Sequence, residues 1–186
     1  IAIAAVVGAL SVGVLLGVVV GIVLSLLWLI KVATRPSMPL LGRQPGTQVF
    51  RDLAAHPADE SDAGVAVIRI DGGLFFATAA ALDERVREII ASHADLHSVV
   101  LDLEGVNFVD SQGAAKLGEL LDLAASDDID LRLARLKPDV ASVLAADGIL
   151  DLIGTDHIHG NVHRAVEAAQ AAKAARASQA AEAERA

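Results

Sequence analysis

The chain has 186 residues, with 15 Lys and Arg against 24 Asp and Glu, a formal net charge of −9 and no Cys. The acidic balance argues against a nucleic-acid-binding surface, which needs a basic patch for phosphate. The lack of Cys excludes a disulfide scaffold and Cys-ligated zinc or iron sites. All of this charge lies after residue 30, because residues 1–30 contain no charged side chain.

These first thirty residues predict the end of a membrane domain. A helix of this length is about 45 Å long, whereas the hydrocarbon core of a bilayer is about 30 Å thick. We therefore predict a last span over residues 13–30, with residues 1–12 as the end of a preceding hydrophobic segment or an extension of the same helix. A signal peptide is disfavoured, because the apolar stretch is too long and lacks a charged start.

The residues after the predicted span indicate its orientation. Lys31, Arg35, Arg43 and Arg51 all precede the first acidic residue, Asp52. Positive charge next to a span is typical of its cytosolic end, so the rest of the chain is predicted to be cytosolic. Residues 31–46 are predicted to form a juxtamembrane linker, whose prolines stop the helix.

Residues 47–172 alternate between strand and helix patterns, which predicts an α/β domain. After a short strand near residues 47–52 and a charged loop over residues 56–64, three apolar strand patterns each precede an amphipathic helix pattern. Thr78 is expected to cap the first of these helices. This order implies a mostly parallel central sheet with flanking helices and right-handed crossovers. The predicted strands cover residues 65–71, 98–103 and 129–134.

Two features of the C-terminal third carry further expectations. In the strand at residues 129–134, Asp130 and Arg132 alternate with Leu131 and Leu133, which predicts one apolar and one wetter side. The Ala-rich end predicts a helix from about Asn161 to residue 172, followed by a fraying charged tail over residues 173–186.

Two places in the sequence contain several potential metal ligands, but neither predicts a metal site. The acidic residues of the loop at 56–64 lack the ligand spacing of a calcium loop and are typical of a charged turn. His157, His159 and His163 form the only histidine cluster of the sequence, but Gly160 separates the first two from a helix start. The histidines therefore do not share one helix face as metal ligands usually do.

The stretch from Asp102 to Gly113, with the sequence DLEGVNFVDSQG, contains the candidate site. A strand ends at its start, a turn follows, and a helix begins at Asp110 and Ser111, either of which can cap free amides of the first turn. Gly113 allows another backbone to approach closely. A helix N-terminus at the carboxyl end of a strand is where α/β folds bind ligands, and its dipole favours an anion. Spacing alone leaves open whether this loop binds a ligand, is phosphorylated, or only caps a helix.

The D-x-x-G-V-x-x-x-D-S-x-G run, with the strand before it and the helix after it, resembles the STAS domain that sulfate transporters and anti-sigma factor antagonists share. The upstream order of motifs is similar to the SulP anion-transporter family, in which the last membrane helix leads through such a linker into a cytosolic STAS domain. The resemblance covers nearly all of residues 13–172. Its motifs are the apolar span, Arg35-Pro36, Leu41-Gly42-Arg43, Pro45-Gly46-Thr47, Phe50-Arg51-Asp52 and the turn Gly73-Leu74-Phe75-Phe76-Ala77.

The resemblance implies both a function and a location. SulP proteins move sulfate, or related anions such as bicarbonate, chloride and dicarboxylates, through membrane helices that are not in this chain, so no substrate-binding residue is expected here. The implied parent is a multi-pass protein of the inner cell membrane with a cytoplasmic STAS domain. The implied partners are the transported anion, the lipid bilayer, its own transmembrane domain and a second copy in a homodimer.

In stand-alone antagonists of the family, the Ser directly after the Asp is phosphorylated, and that position matches Ser111. The next position, commonly Ser or Thr, is Gln112 here. Asp110, Ser111 and Gly113 are therefore the predicted regulatory, phosphorylation or ligand loop.

Three functional hypotheses follow. The first is the C-terminal segment of a SulP-type anion transporter, whose STAS domain regulates, assembles or stabilises the transporter. The second is a membrane-anchored STAS signalling module with a kinase acting at Ser111, and the third is a nucleotide-binding regulatory module. No Gly-rich phosphate loop and no nucleophilic triad is visible, so neither an enzyme, a cofactor nor nucleic-acid binding is predicted.

Overall fold

The computed structural model describes residues 14–33 and 36–183. The chain divides into two compact units, Ile1–Pro36 and Ser37–Ala186. The hydrophobic segment predicted at residues 1–12 and the last three residues of the predicted tail lie outside the described residues.

The first unit contains one described helix, α1, over Val14–Ala33. Lys31 lies in its last turn, where a positive charge suits the helix dipole. The Lys31 ammonium also lies 5.9 Å from the centre of the Trp28 ring, within cation–π range. Among the helices that the structure describes, none is both long and apolar enough to cross a membrane. The span over residues 13–30 stays a prediction.

The second unit is built on one six-stranded sheet. Its strand order is β2-β1-β3-β4-β5-β6. The strand β1 is antiparallel to both of its neighbours, whereas β3, β4, β5 and β6 run parallel to one another. The strands are β1 Leu40–Arg43, β2 Phe50–Asp52, β3 Val65–Arg69, β4 Ser98–Asp102, β5 Asp130–Ala134 and β6 Ile158–His159.

Helices cover both faces of this sheet. Four of them share the larger apolar core with one face, and the long C-terminal helix packs alone on a smaller core at the other. This confirms the predicted α/β fold with a mostly parallel sheet and flanking helices. The helices are α2 Phe76–Ser92, α3 Ser111–Ser126, α4 Pro138–Ala146, α5 Ile149–Ile153 and α6 Val162–Ala183, with a 3-10 turn at Thr155–His157.

The central strand β4 shows why an unbroken apolar run predicts a strand covered on both faces. Val99 and Leu101 belong to the larger core, and Val100 between them belongs to the smaller one. All three side chains are 0% exposed. Burial of each side chain contributes about 1.5–3 kcal/mol to the free energy of folding. The strand β4 therefore stabilises both the larger and the smaller core.

Several boundaries differ from the sequence-based expectation. The strand β1 lies inside the segment predicted as a linker, because Leu40 and Leu41 pair with Ile68 and Val67 of β3. The short elements α5 and β6 were not predicted. Helix α2 begins at Phe76, two residues before the expected cap Thr78, and α6 continues to Ala183 instead of ending near residue 172. Alanine-rich sequence has high helix propensity, which accounts for the longer α6.

The expectation of a wetter side on β5 is wrong. Asp130 and Arg132 are only 8% and 5% exposed. The Asp130 carboxylate accepts a hydrogen bond from Nε of Arg132 at 2.7 Å and lies 2.9 Å from Nε2 of His157. Arg132 also donates to the Asp156 carbonyl at 3.2 Å. These polar side chains can be buried because they form hydrogen bonds and ion pairs with one another and with the segment that leads into β6.

Acidification is expected to destabilise this unit through His159. Its Nε2 lies 3.1 Å from Nη1 of Arg132, and since the guanidinium only donates, the imidazole accepts and is neutral. Burial and then the Arg132 charge lower the pKa of His159, so the unfolded chain binds the proton more readily than the folded one. The stabilisation is complete above the ordinary pKa of about 6.5 and is lost as the pH falls through the lowered value.

Urea unfolding at about pH 7.5 and about pH 5.5 measures this effect. His159→Gln keeps a neutral acceptor for Arg132 and is expected to lose less stability at the lower pH than the unmodified chain. The pKa of His97 is lowered too, chiefly by burial, so part of the dependence remains in the variant. An equal loss in both proteins would contradict the role of His159.

Candidate functional site

The candidate site lies where α3 begins, beyond the carboxyl end of β4. Asp110 is the N-cap of α3, and its Oδ1 accepts a hydrogen bond from the Gly113 amide at 2.7 Å. Its other oxygen, Oδ2, accepts from the amide of Phe76, the first residue of α2, at 3.3 Å. One carboxylate therefore caps the first turns of two helices and fixes their starts together. The capping of α3 was among the sequence-based alternatives, whereas the contact with α2 was not.

The backbone also joins the turn before α2 to the loop before α3. The Leu74 amide donates to the Phe108 carbonyl at 3.0 Å, and the Asp110 amide donates to the Leu74 carbonyl at 3.2 Å. Gly113 lies against this pairing, since a Cβ at that position would be 2.2 Å from the Leu74 carbonyl oxygen. Two motifs that are far apart in sequence thus form one rigid ledge, which we define as residues 73–76 and 108–113.

Ser111 is the first residue of α3 and is exposed on this ledge. Within the described part of the chain, its hydroxyl makes no hydrogen bond. Gln112 beside it is exposed as well. Asp110 supplies the cap, so Ser111 is not needed for it, and its hydroxyl is open to a modifying enzyme or a partner.

Three of the four phenylalanines of the chain belong to the ledge. The Phe75 and Phe108 rings stack with centroids 5.6 Å apart, and Phe76 meets Phe75 edge-on at 6.0 Å. Phe76 is 66% exposed and Phe108 is 52% exposed. Phe75, Phe76 and Phe108 form what we call the aromatic patch. Sequence reasoning noted the apolar turn but missed Phe108, because nothing in the linear order places it on Phe75.

A charged network supports the loop from below. The Asp102 carboxylate, 0% exposed, accepts from Nε of Arg135 at 2.8 Å and also from its Nη2. Arg135 reaches Glu104 as well, and its hydrogen bond to Asp102 raises its pKa. Lys137 donates to Oδ1 of Asn107 at 2.7 Å. These contacts tie the residues after β5 to the loop after β4.

The acidic residues of the 56–64 loop and the histidines near the C-terminal helix have separate partners. Asp59 forms a two-pronged pair with Arg51, at 2.9 and 2.5 Å, in the loop predicted as a charged turn. His163 lies 3.3 Å from Glu167 on α6, apart from the His157–Asp130 pair. No group of three or more His, Cys, Asp or Glu side chains in the described residues could hold a metal ion.

The ledge combines a helix start, an exposed hydroxyl and exposed apolar rings. The helix dipole of α3 favours an anion, but the Asp110 carboxylate already accepts from the Gly113 amide and places a negative charge at this helix start. A free anion would meet that charge, whereas a phosphoryl group on Ser111 would point outward from the first turn. Exposed aromatic rings beside it offer the apolar area that protein interfaces use.

Comparison with known proteins agrees with this architecture. The STAS domain model matches residues 56–165. Sulfate transporter 4.1, chloroplastic, of Arabidopsis thaliana is 30% identical over 165 residues, which cover 83% of this chain and 24% of that protein. The chain thus spans about a quarter of the length of the relatives it matches.

Solved structures show the same fold. The murine Slc26a9 anion transporter in its inward-facing state superposes with a TM-score of 0.75 at 22% identity, over 91% of this chain and 28% of that one. The SulP transporter STAS domain of Vibrio cholerae superposes with a TM-score of 0.53 at 27% identity, over 66% of this chain and 94% of that one. The chain therefore belongs to the STAS domain family, in the form that SulP and SLC26 transporters carry as a C-terminal segment.

Proposed function

We propose that this chain is the C-terminal segment of a membrane anion transporter, in which the STAS domain regulates or assembles the transporter by docking through the aromatic patch. The observation that supports this is the pair of exposed rings, Phe76 and Phe108, on a ledge that one carboxylate holds rigid. A rigid apolar surface beside a free hydroxyl suits binding to another protein surface. Its relatives include sulfate transporters, so the transported class is sulfate or a related anion.

The same proposal covers the location of the transporter and the partners of the STAS domain. Transport occurs in membrane helices of the multi-pass parent, in the inner cell membrane, and the STAS domain acts from the cytoplasmic side. The aromatic patch docks on the parent's own transmembrane domain or on the second copy of a homodimer. No cofactor is assigned, and no residue of this chain binds the transported anion.

Uptake of radiolabelled sulfate by proteoliposomes containing the full-length parent tests the proposal. Phe76→Ser removes an exposed ring and is expected to change uptake several-fold with folding intact, since interface aromatics carry much of the binding energy. Leu152→Ser is the matched control, because Leu152 is 69% exposed but distant in sequence from the ledge. Truncation after Ile30 is expected to alter uptake as strongly as Phe76→Ser. Unchanged uptake in both Phe76→Ser and the truncated parent would contradict the proposal.

A second function, a phosphorylation switch at Ser111, is favoured by one observation: the hydroxyl is exposed and unbonded at the start of α3. A phosphoryl group there would carry about −1.5 to −2 charge beside Asp110 and the aromatic patch. It would weaken an apolar docking contact without breaking the Asp110 cap. In a membrane-anchored signalling module, this switch would act without transport.

Ser111→Glu is expected to change uptake, or partner binding in the signalling alternative, while circular dichroism shows the fold unchanged. Ser111→Ala should keep the unmodified activity and resist kinase labelling. Loss of the folded signal in Ser111→Glu would instead show that the residue is structural. Saturable nucleotide binding that Asp110→Ala weakens would favour the nucleotide-binding alternative, and no binding at millimolar nucleotide would remove it.

A further inference from the structure

The segment that follows the N-terminal unit is part of the sheet of the STAS domain. The Ser37 carbonyl accepts a hydrogen bond from the Asp71 amide at 3.0 Å, and the Pro39 carbonyl accepts from the Arg69 amide at 3.1 Å. The strand β1 continues this pairing with β3 on one side and pairs with all three residues of β2 on the other. We call residues 37–43 the strap.

The side chains of the strap anchor it on both faces of the sheet. Met38 and Leu40 pack against the larger core, whereas Leu41, which is 4% exposed, belongs to the smaller one. Pro39 has a fixed φ and restricts the residue before it to extended backbone. The strap is therefore a rigid part of the STAS domain, although the sequence places it in a linker.

The strap is bonded to the end of β3 immediately before the ledge. Asp71, whose amide bonds to the strap, lies two residues before Gly73, the first residue of the ledge. A Cβ on Gly73 would lie 2.6 Å from Cδ1 of Phe108, so the aromatic patch packs directly on this backbone. A Cβ on Gly105 would lie 2.4 Å from the Ile70 carbonyl oxygen, so the loop after β4 packs there too. The path from the strap to the patch thus consists of one backbone hydrogen bond and a short stretch of chain.

Little chain separates the strap from the N-terminal helix. The helix α1 ends at Ala33, and Ser37 already forms a β-bridge with Asp71, so only residues 34–36 lie between the two. The last of these is Pro36, whose ring fixes its φ. A joint of three residues has far fewer conformations than the long Gly/Ser-rich linkers that let domains move independently.

We propose that the strap is a positioning segment, which passes movement of the transporter's last membrane helix to the ledge and its aromatic patch. This inference rests on the proposed function, because it takes the residues before the strap to belong to a membrane domain. The strap acts through backbone hydrogen bonds, so its effect depends on the length of the joint before it. Lengthening that joint is expected to uncouple the patch from the helix without unfolding the STAS domain.

Insertion of Gly-Ser-Gly-Ser between Pro36 and Ser37 of the full-length parent tests this by uptake of radiolabelled sulfate into proteoliposomes. The maximal rate of uptake is expected to change several-fold, in the same direction as on truncation after Ile30. The KM for sulfate should stay unchanged, because no residue of this chain is assigned to binding the anion. Pro36→Gly loosens the joint at constant length and should give a smaller change in the same direction. Circular dichroism of the 186-residue chain in detergent micelles should show the fold retained in both variants.

The matched control is the same insertion between Gly46 and Thr47, in the turn that joins β1 to β2 after the strap. A Cβ added at Gly46 would meet nothing within 4 Å, so this turn has room for extra chain. Pro45→Gly, in the same turn, is the control for Pro36→Gly. Both control variants should leave uptake unchanged. If the insertion after Pro36 disturbs folding, the comparison of Pro36→Gly with Pro45→Gly decides.

The proposal is overturned if the insertion after Pro36 leaves uptake unchanged while truncation after Ile30 alters it, and the docking function would then stand. An equal effect of the two insertions would also overturn it, since the place of the added residues would not matter. Unchanged uptake in both the truncated parent and Phe76→Ser would instead contradict the docking function, and this inference with it. The failures of the two proposals are therefore distinguishable.

Discussion

Gly113→Ala is expected to cost the STAS domain about 3 kcal/mol of unfolding free energy, although alanine is the better helix former. The new Cβ would lie 2.2 Å from the Leu74 carbonyl oxygen, which is backbone and cannot rotate away. The clash separates the turn before α2 from α3 and lengthens the hydrogen bond between Leu74 and Asp110. A gain of about 1 kcal/mol in helix propensity does not offset overpacking against backbone.

Urea unfolding followed by circular dichroism measures this change, with Gly118→Ala as the control in the same helix. At Gly118 the nearest atom to an added Cβ is Cδ1 of Ile149, at 3.2 Å, and it is the end of a flexible side chain. Gly118→Ala should therefore be close to neutral. If Gly113→Ala were as stable as Gly118→Ala, the ledge would not be packed as described.

Arg135→Met is expected to cost about 3 kcal/mol, because it leaves the Asp102 carboxylate buried without its cation. Asp102 is 0% exposed and accepts two hydrogen bonds from the guanidinium. Removing one partner of a buried pair costs about 3–5 kcal/mol, and we take the lower end because the Arg135 side chain is 31% exposed. Methionine keeps the apolar stem, so the loss reflects charge more than packing.

Adding Asp102→Asn to Arg135→Met should recover part of the lost stability, since the unpaired Asp102 carboxylate charge is then removed. Arg85→Met serves as the control, because within the described residues Arg85 forms an ion pair with Glu88 alone, and the Glu88 side chain is 65% exposed. That variant should change stability by less than about 0.5 kcal/mol. If Arg135→Met lost no more stability than Arg85→Met, the Asp102–Arg135 pair would contribute little. The same conclusion would follow if the double variant recovered no stability.

The amino-acid order alone determined the class of fold. The unbroken run Val99-Val100-Leu101 has no polar side to expose, so it specifies a strand between two layers. The one-sided helix pattern after each strand then leaves few topologies other than parallel crossovers. Asp110 before a helix pattern was sufficient to predict a capped start for α3. Periodicity and capping are local properties, so sequence carries them.

Only the tertiary structure determined which side chains of these elements contact one another. The sequence pattern of β5 predicts a solvent-exposed side, yet Asp130 and Arg132 are buried. Their burial depends on His157, which pairs with Asp130 and lies in a segment without a recognisable helix or strand pattern. Likewise, the Phe108 ring stacks on the Phe75 ring across a long stretch of chain. Contacts of this kind depend on how layers pack in three dimensions, which the period of a sequence does not encode. The candidate loop was therefore visible in the sequence, whereas the aromatic patch was not.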